Sequence, residues 1–107
     1  MIIYSVNIAI ERSVESEWLE WMSRVHVPDV LRTGCFIEAR IFRVLENGAE
    51  EAKYAIQYHC RSLEQYEQYR DNFAPALQKA HSERFGGRFR ASRQLLEEVA
   101  SFPPGAT

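Results

Sequence analysis

His26 is the residue of this chain whose type and place most invite acid–base chemistry. On a helix it falls four and eight positions beyond Met22 and Trp18, on the flank of their stripe and two residues ahead of Pro28. A histidine there borders any cavity between helix and sheet, where it can serve as acid, base or metal ligand. The rival reading is structural: its ring caps carbonyls that Pro28 leaves without a donor. The sequence offers His26 no matched partner, so capping takes precedence. Large aromatics around a kinked helix leave irregular apolar gaps. Trp18, Met22, His26, Tyr58, Phe73 and His81 are therefore the expected pocket residues, though each aromatic among them is also an ordinary core residue. His81 and Arg84 fall near the end of a second helix, where the dipole favours cations, so their expected role is structural and an anion site is the alternative.

Other chemistry finds less support. His26, His59 and His81 stand on three different elements without ligand-like spacing, and no metal site is expected. There is no GxSxG elbow, Walker loop or GxGxxG run, so neither flavin, haem nor a stoichiometric metal is expected as a cofactor. The pairs Glu50-Glu51 and Glu97-Glu98 read as solvated ends of elements. Cys35 and Cys60 lack CxxC spacing and read as reduced, buried thiols. The opening MIIYSVNIAIER has no basic n-region, and no apolar run approaches the ~20 residues that span a bilayer. The expected setting is cytoplasmic, with no membrane partner. Thirteen basic and fifteen acidic side chains give a net charge of -2, which argues against nucleic acid as a partner.

The elements that must position these residues are legible from period. Ile2 to Ile10 alternates, with Ile2, Tyr4, Val6, Ile8 and Ile10 on one face and Ile3, Ser5, Asn7 and Ala9 on the other. Ser13 offers an N-cap, and from Val14 a 3.6-residue period carries Trp18, Trp21, Met22 and Val25 to Pro28, which should kink the helix or restart it as a short second turn, and to a stop at Gly34. Strands follow over Cys35–Leu45 and Ala52–Cys60, joined by a Glu46-Asn47-Gly48-Ala49 turn. Ser62-Leu63-Glu64-Gln65 is a capping box opening a second helix, divided at Pro75 and ended by Gly86-Gly87. A last strand runs Phe89–Val99. Residues 1–100 thus make one domain, within the usual size range, and residues 101–107 a tail.

The order β-α-β-β-α-β in an α+β chain predicts a ferredoxin-like sandwich: a four-stranded antiparallel sheet, strands one and three central, both helices on one face. The other face then carries Ser5, Asn7, Gln57 and His59, joined by Phe36, Glu38, Arg40 and Phe42 where strand two points the same way. It is too apolar for solvent alone, and a second copy of the sheet is the simplest cover, making a homodimer. An RNA-binding module of the same order needs outward aromatics on strand three. Alternation here turns Tyr54 and Tyr58 towards the helices instead.

The runs EWLEWM (Glu17–Met22), HVPDV (His26–Val30), TGCF (Thr33–Phe36), YAIQY (Tyr54–Tyr58), APAL (Ala74–Leu77) and RFGGRF (Arg84–Phe89) resemble a bacterial family of unknown function. It belongs to the dimeric α/β-barrel superfamily. The resemblance spans Met1 to about Val99 and implies a dimer of sheets packed face to face. The superfamily includes antibiotic-biosynthesis and haem-degrading monooxygenases, muconolactone isomerases and stress-responsive barrel proteins. No full catalytic set of these falls on this chain, and the Asn-Trp-His combination of the haem degraders has no counterpart. The expectation is a small, largely apolar ligand bound or transformed between helices and sheet, with a non-enzymatic ligand-sensing or interaction module as the alternative.

Overall fold

The computed structural model describes residues 1–46, 48 and 50–105. The alternating N-terminal segment forms β1 (Ile2–Glu11), and β2 (Glu38–Arg43), β3 (Glu51–Cys60) and β4 (Phe89–Glu97) complete the sheet. The strands are antiparallel in the order β2-β3-β1-β4, so β1 and β3 are central as the pattern requires. One face is apolar and buried, built on Tyr4, Val6, Ile8, Ile10, Tyr54, Ile56 and Tyr58. The α+β, ferredoxin-like reading of the sequence holds.

Between β1 and β2 the chain makes one 3₁₀ turn (Arg12–Val14), then α1 (Glu15–Trp21), a π-helical turn (Met22–His26) and α2 (Val27–Leu31). Ser13 does not cap α1. It lies inside the 3₁₀ turn because β1 runs on to Glu11, and neither start carries a side-chain cap hydrogen bond. The π turn is the structural answer to Pro28. Proline has no N–H for the carbonyl four residues back, so the backbone widens, and the Val27 amide donates to the Met22 carbonyl five residues back. The helix restarts beyond this turn as the short α2, the second of the two expected outcomes at Pro28, with the π turn as its joint. Gly34, at φ 79°, closes the segment with the left-handed geometry that glycine adopts without penalty.

The second helical pair is α3 (Leu63–Asn72) and α4 (Ala74–Phe85). Ser62 Oγ accepts from the Gln65 amide at 3.2 Å, the capping interaction its spacing predicts. The break falls at Phe73, just ahead of Pro75, and the helix ends at Gly86, whose amide donates to the Ser82 carbonyl at 2.8 Å.

Three strand limits shrink. β4 stops at Glu97 rather than Val99, β2 ends at Arg43 rather than Leu45, and β2 begins at Glu38 rather than Cys35. The last change moves a side chain. Phe36 is buried on the helix side, stacked with Tyr4, tilted against Tyr58 and edge-on to Tyr69, so it does not belong to the open face. Alternation does not reach it, because residues 35–37 precede the strand. Of the expected hairpin turn, Asn47 and Ala49 lie outside the described residues.

The helices cover one face with a core of Trp18, Met22, Val30, Tyr69, Ala74 and Phe85 against the apolar side of the sheet. Cys35 and Cys60 are buried free thiols, as expected. Among the described residues no helix is long and apolar enough to cross a membrane.

Candidate functional site in the helix–sheet core

The π turn aims two side chains inward. Met22 is buried, and His26, at the end of the turn, lies half-buried with its ring stacked on Trp21 at 5.0 Å between centroids. From α4, His81 arrives buried, its ring 5.6 Å from that of His26 and 4.2 Å edge-on from Phe89. Met22, His26, His81 and Tyr58 share the wall of a cavity of about 30 Å³ with Tyr4, Tyr69, Gln78 and Arg93. That is space for about one water molecule. An outer recess of about 220 Å³, lined by Tyr4, Tyr66, Arg93, Gln94 and Leu95, adjoins it through the shared Tyr4 and Arg93.

Hydrogen bonding fixes the chemical form of His81. Trp18 is fully enclosed, and its indole N–H donates to His81 Nε2 at 2.9 Å. An indole nitrogen only donates, so Nε2 must be the unprotonated nitrogen and Nδ1 carries the hydrogen. Electrostatics agrees: burial, then His26 and Arg93, lower the His81 pKa to about 4. His26 is also lowered, by burial, with Asp29 opposing. Two imidazoles held neutral are hydrogen-bonding groups, not charges. His81 is therefore not the cation at a helix C-terminus that its position predicts. Burial outweighs the helix dipole.

The tyrosines are held as phenols. Burial raises Tyr58 and Tyr69 far above their ordinary range, and it raises Tyr4 too, against Arg93, which lowers it. Gln78 and Arg93 line the cavity beside Tyr4.

Of the expected pocket residues, Met22, His26, Tyr58 and His81 line the cavity. Trp18 stands behind it and holds His81. Phe73 does not belong. At the break between α3 and α4 it is 38% exposed, because Pro75 ends the helical register that would have turned it inward. The capping role of His26 is not made either: among the described residues no main-chain carbonyl accepts from its ring, which packs on Trp21 while the π turn rearranges the backbone bonds. Arg84 lies over the Trp21 ring at 5.8 Å and 4.0 Å from Glu17, a surface role.

Sequence reasoning missed Gln78, Tyr69 and Arg93. Gln78 precedes His81 by three residues, one helical turn, and so shares its face. Arg93 alternates with Phe89, Ala91 and Leu95, which puts it on the helix side of the edge strand β4, where it stays exposed. Also missed is a polar cluster beyond Trp18: the Tyr54 hydroxyl donates to Glu15 at 2.5 Å, and Arg43 donates to that hydroxyl at 3.3 Å. Among the described residues no group of three or more His, Cys, Asp or Glu is placed to hold a metal ion.

On the opposite face, register puts Ser5, Asn7, Glu38, Arg40, Phe42, Gln57 and His59 together, with Ser92, Gln94 and Leu96 from β4. Glu38 bridges Arg40 at 3.4 Å and approaches His59 at 3.6 Å, while Phe42 remains 45% exposed. A groove of about 320 Å³ crosses this face beside Asn7, Ala9, Lys53 and Arg90.

Sheet order, helix placement and an interior pocket define this as a protein of the ferredoxin-like α+β class. The family described as a domain of unknown function (DUF4286) matches residues 1–99, and the chain belongs to it. Solved structures share the fold. A dimeric ferredoxin-like protein from an uncultured marine organism is 18% identical, with a TM-score of 0.69 over 96% of this chain and 99% of that one. SnoaB, a cofactor-independent oxygenase from Streptomyces nogalater, is 13% identical, with a TM-score of 0.67 over 95% and 97%. The haem degrader MhuD from Mycobacterium tuberculosis is 19% identical, with a TM-score of 0.66 over 96% and 100%. No curated protein matches the chain.

Proposed function

We propose that the protein acts as a homodimer in the cytoplasm, each protomer taking a small, largely apolar molecule into the pocket between helices and sheet. The convergence of His26 and His81 on a cavity inside an apolar core carries this reading. Polar groups in a core cost stability unless they are hydrogen-bonded, and the bond from Trp18 accounts for only one nitrogen of His81. His26 is the expected acid–base residue, its ring held neutral and one turn from Met22. Proteins of this fold that act as an oxygenase or degrade haem lend general support to small-molecule chemistry. A porphyrin exceeds both the cavity of about 30 Å³ and the adjoining recess of about 220 Å³ that can hold a small ligand, so the haem binding of MhuD is not extended to this chain. The groove on the open sheet face favours a second reading, a non-enzymatic module that meets its ligand or partner there.

The two readings separate on His26→Ala. Thermal-shift screening of wild type with small aromatic and aliphatic compounds is expected to give a shift that the variant loses, at an unchanged urea midpoint. Ligand shifts that persist in His26→Ala and vanish on changing Asn7 would give the site to the open face instead.

A further inference from the structure

We propose that the pocket selects molecules whose apolar body ends in an oxyanion, such as a small aromatic carboxylate. This rests on the reading above that the pocket takes a small, largely apolar molecule, and it names the polar end of that molecule. Trp18 occupies His81 Nε2, so the hydrogen His81 has to offer is on Nδ1. Arg93 lines both the inner cavity and the outer recess, and a guanidinium only donates. Among the described residues, Arg93 has no carboxylate in ion-pairing distance, and the Tyr4 phenol beside it is held neutral.

No acidic side chain lines either cavity. The acid nearest in effect is Asp29, which acts on His26 and is already engaged by Arg32. The wall therefore presents one positive charge with no counter-charge, alongside phenol and imidazole donors. A ligand oxyanion supplies the missing charge, and hydrogen bonds to ionised groups are about twice as strong as neutral ones. A cationic ligand meets Arg93 uncompensated. Tyr66 and Leu95 offer the recess an apolar wall for the ligand body, with Arg93 at the junction to hold its charged end.

The indole N–H of Trp18, bonded to His81, gives a nuclear magnetic resonance reporter inside the full-length protein. Benzoate, benzamide and benzylamine, with their naphthalene analogues, are titrated at neutral pH. The carboxylates are expected to bind about tenfold or more tighter than the amides, with the amines weakest. Arg93 is exposed enough that its replacement leaves the fold intact. Arg93→Gln is expected to bring the acids down to the level of the amides, and Arg93→Lys to keep part of the preference. Amides or amines binding as well as acids, or a preference untouched in Arg93→Gln, would overturn the proposal and leave the pocket itself standing. If no ring compound moves the indole resonance, the pocket reading falls, and this inference with it.

Discussion

At the scale of single residues the chemistry turns on one nitrogen. The Trp18 indole selects the tautomer of His81, and burial keeps that ring neutral at physiological pH. This has a consequence for stability. In the unfolded chain the imidazole takes a proton as pH falls through 6.5, whereas the folded protein resists until about 4. Between those values the unfolded state binds more protons, so stability present above pH 6.5 is lost as pH falls towards 4. The shift corresponds to about 3 kcal/mol, with His26 acting in the same direction. Urea midpoints across this window should fall steeply for wild type and less steeply for His81→Gln. Equal slopes would show that His81 is not held neutral by the fold. Trp18→Phe, which removes the donor and keeps most of the ring, is expected to cost about 1–3 kcal/mol at neutral pH, read from the same titrations.

At the scale of elements the π turn is the device that places the site. It follows from Pro28, and it sets His26 against Trp21 and within 5.6 Å of His81. Pro28→Ala restores an N–H and lets the helix run regularly, where one residue of register is about 100° of rotation. The expected outcome is loss of the nuclear Overhauser contacts between the His26 and His81 rings, with a urea midpoint no lower than wild type. Retained contacts would show that tertiary packing, not the proline, sets the bulge. The sequence carried much of this scale. Strict alternation made β1 and β3 readable, and the Ser62 cap and the glycine stops bounded the second helical pair. Three misreadings share a cause, since each residue sits where one period hands over to another. Ser13 falls in a 3₁₀ turn, Phe36 ahead of β2 and Phe73 between two helices. Periodicity says nothing about side chains at such junctions. Half of the site was legible in the same way: Met22, His26, Tyr58 and His81 lie on marked faces, whereas Arg93 was hidden by a bias that reads a charged residue as outward.

At the scale of the molecule the unresolved surface is the open face of the sheet. It is not a solvated face of the ordinary kind. Ser5 is only 2% exposed at its centre, flanked by Gln57 and Gln94, while Phe42 and Leu96 stand out at 45% and 37%. Exposed apolar side chains beside a buried Ser5 are what a second copy packed on this face would cover. A stable interface buries about 800 Å² on each partner, which the breadth of a four-stranded sheet can supply. A two-fold axis through the face lets Phe42 of one copy meet the same patch of the other, since such contacts are self-complementary. Sedimentation at micromolar concentration is therefore expected to show a dimer. Phe42→Lys should shift it to monomer with an unchanged circular dichroism spectrum, because the side chain lies outside the core and the lysine places like charges near each other across the axis. The salt bridge between Glu38 and Arg40 is exposed and contributes little by itself, so raised salt should leave the wild-type dimer largely intact. A wild-type monomer under these conditions would remove the sheet face as the interface, and a dimer that survives Phe42→Lys would move its centre away from β2.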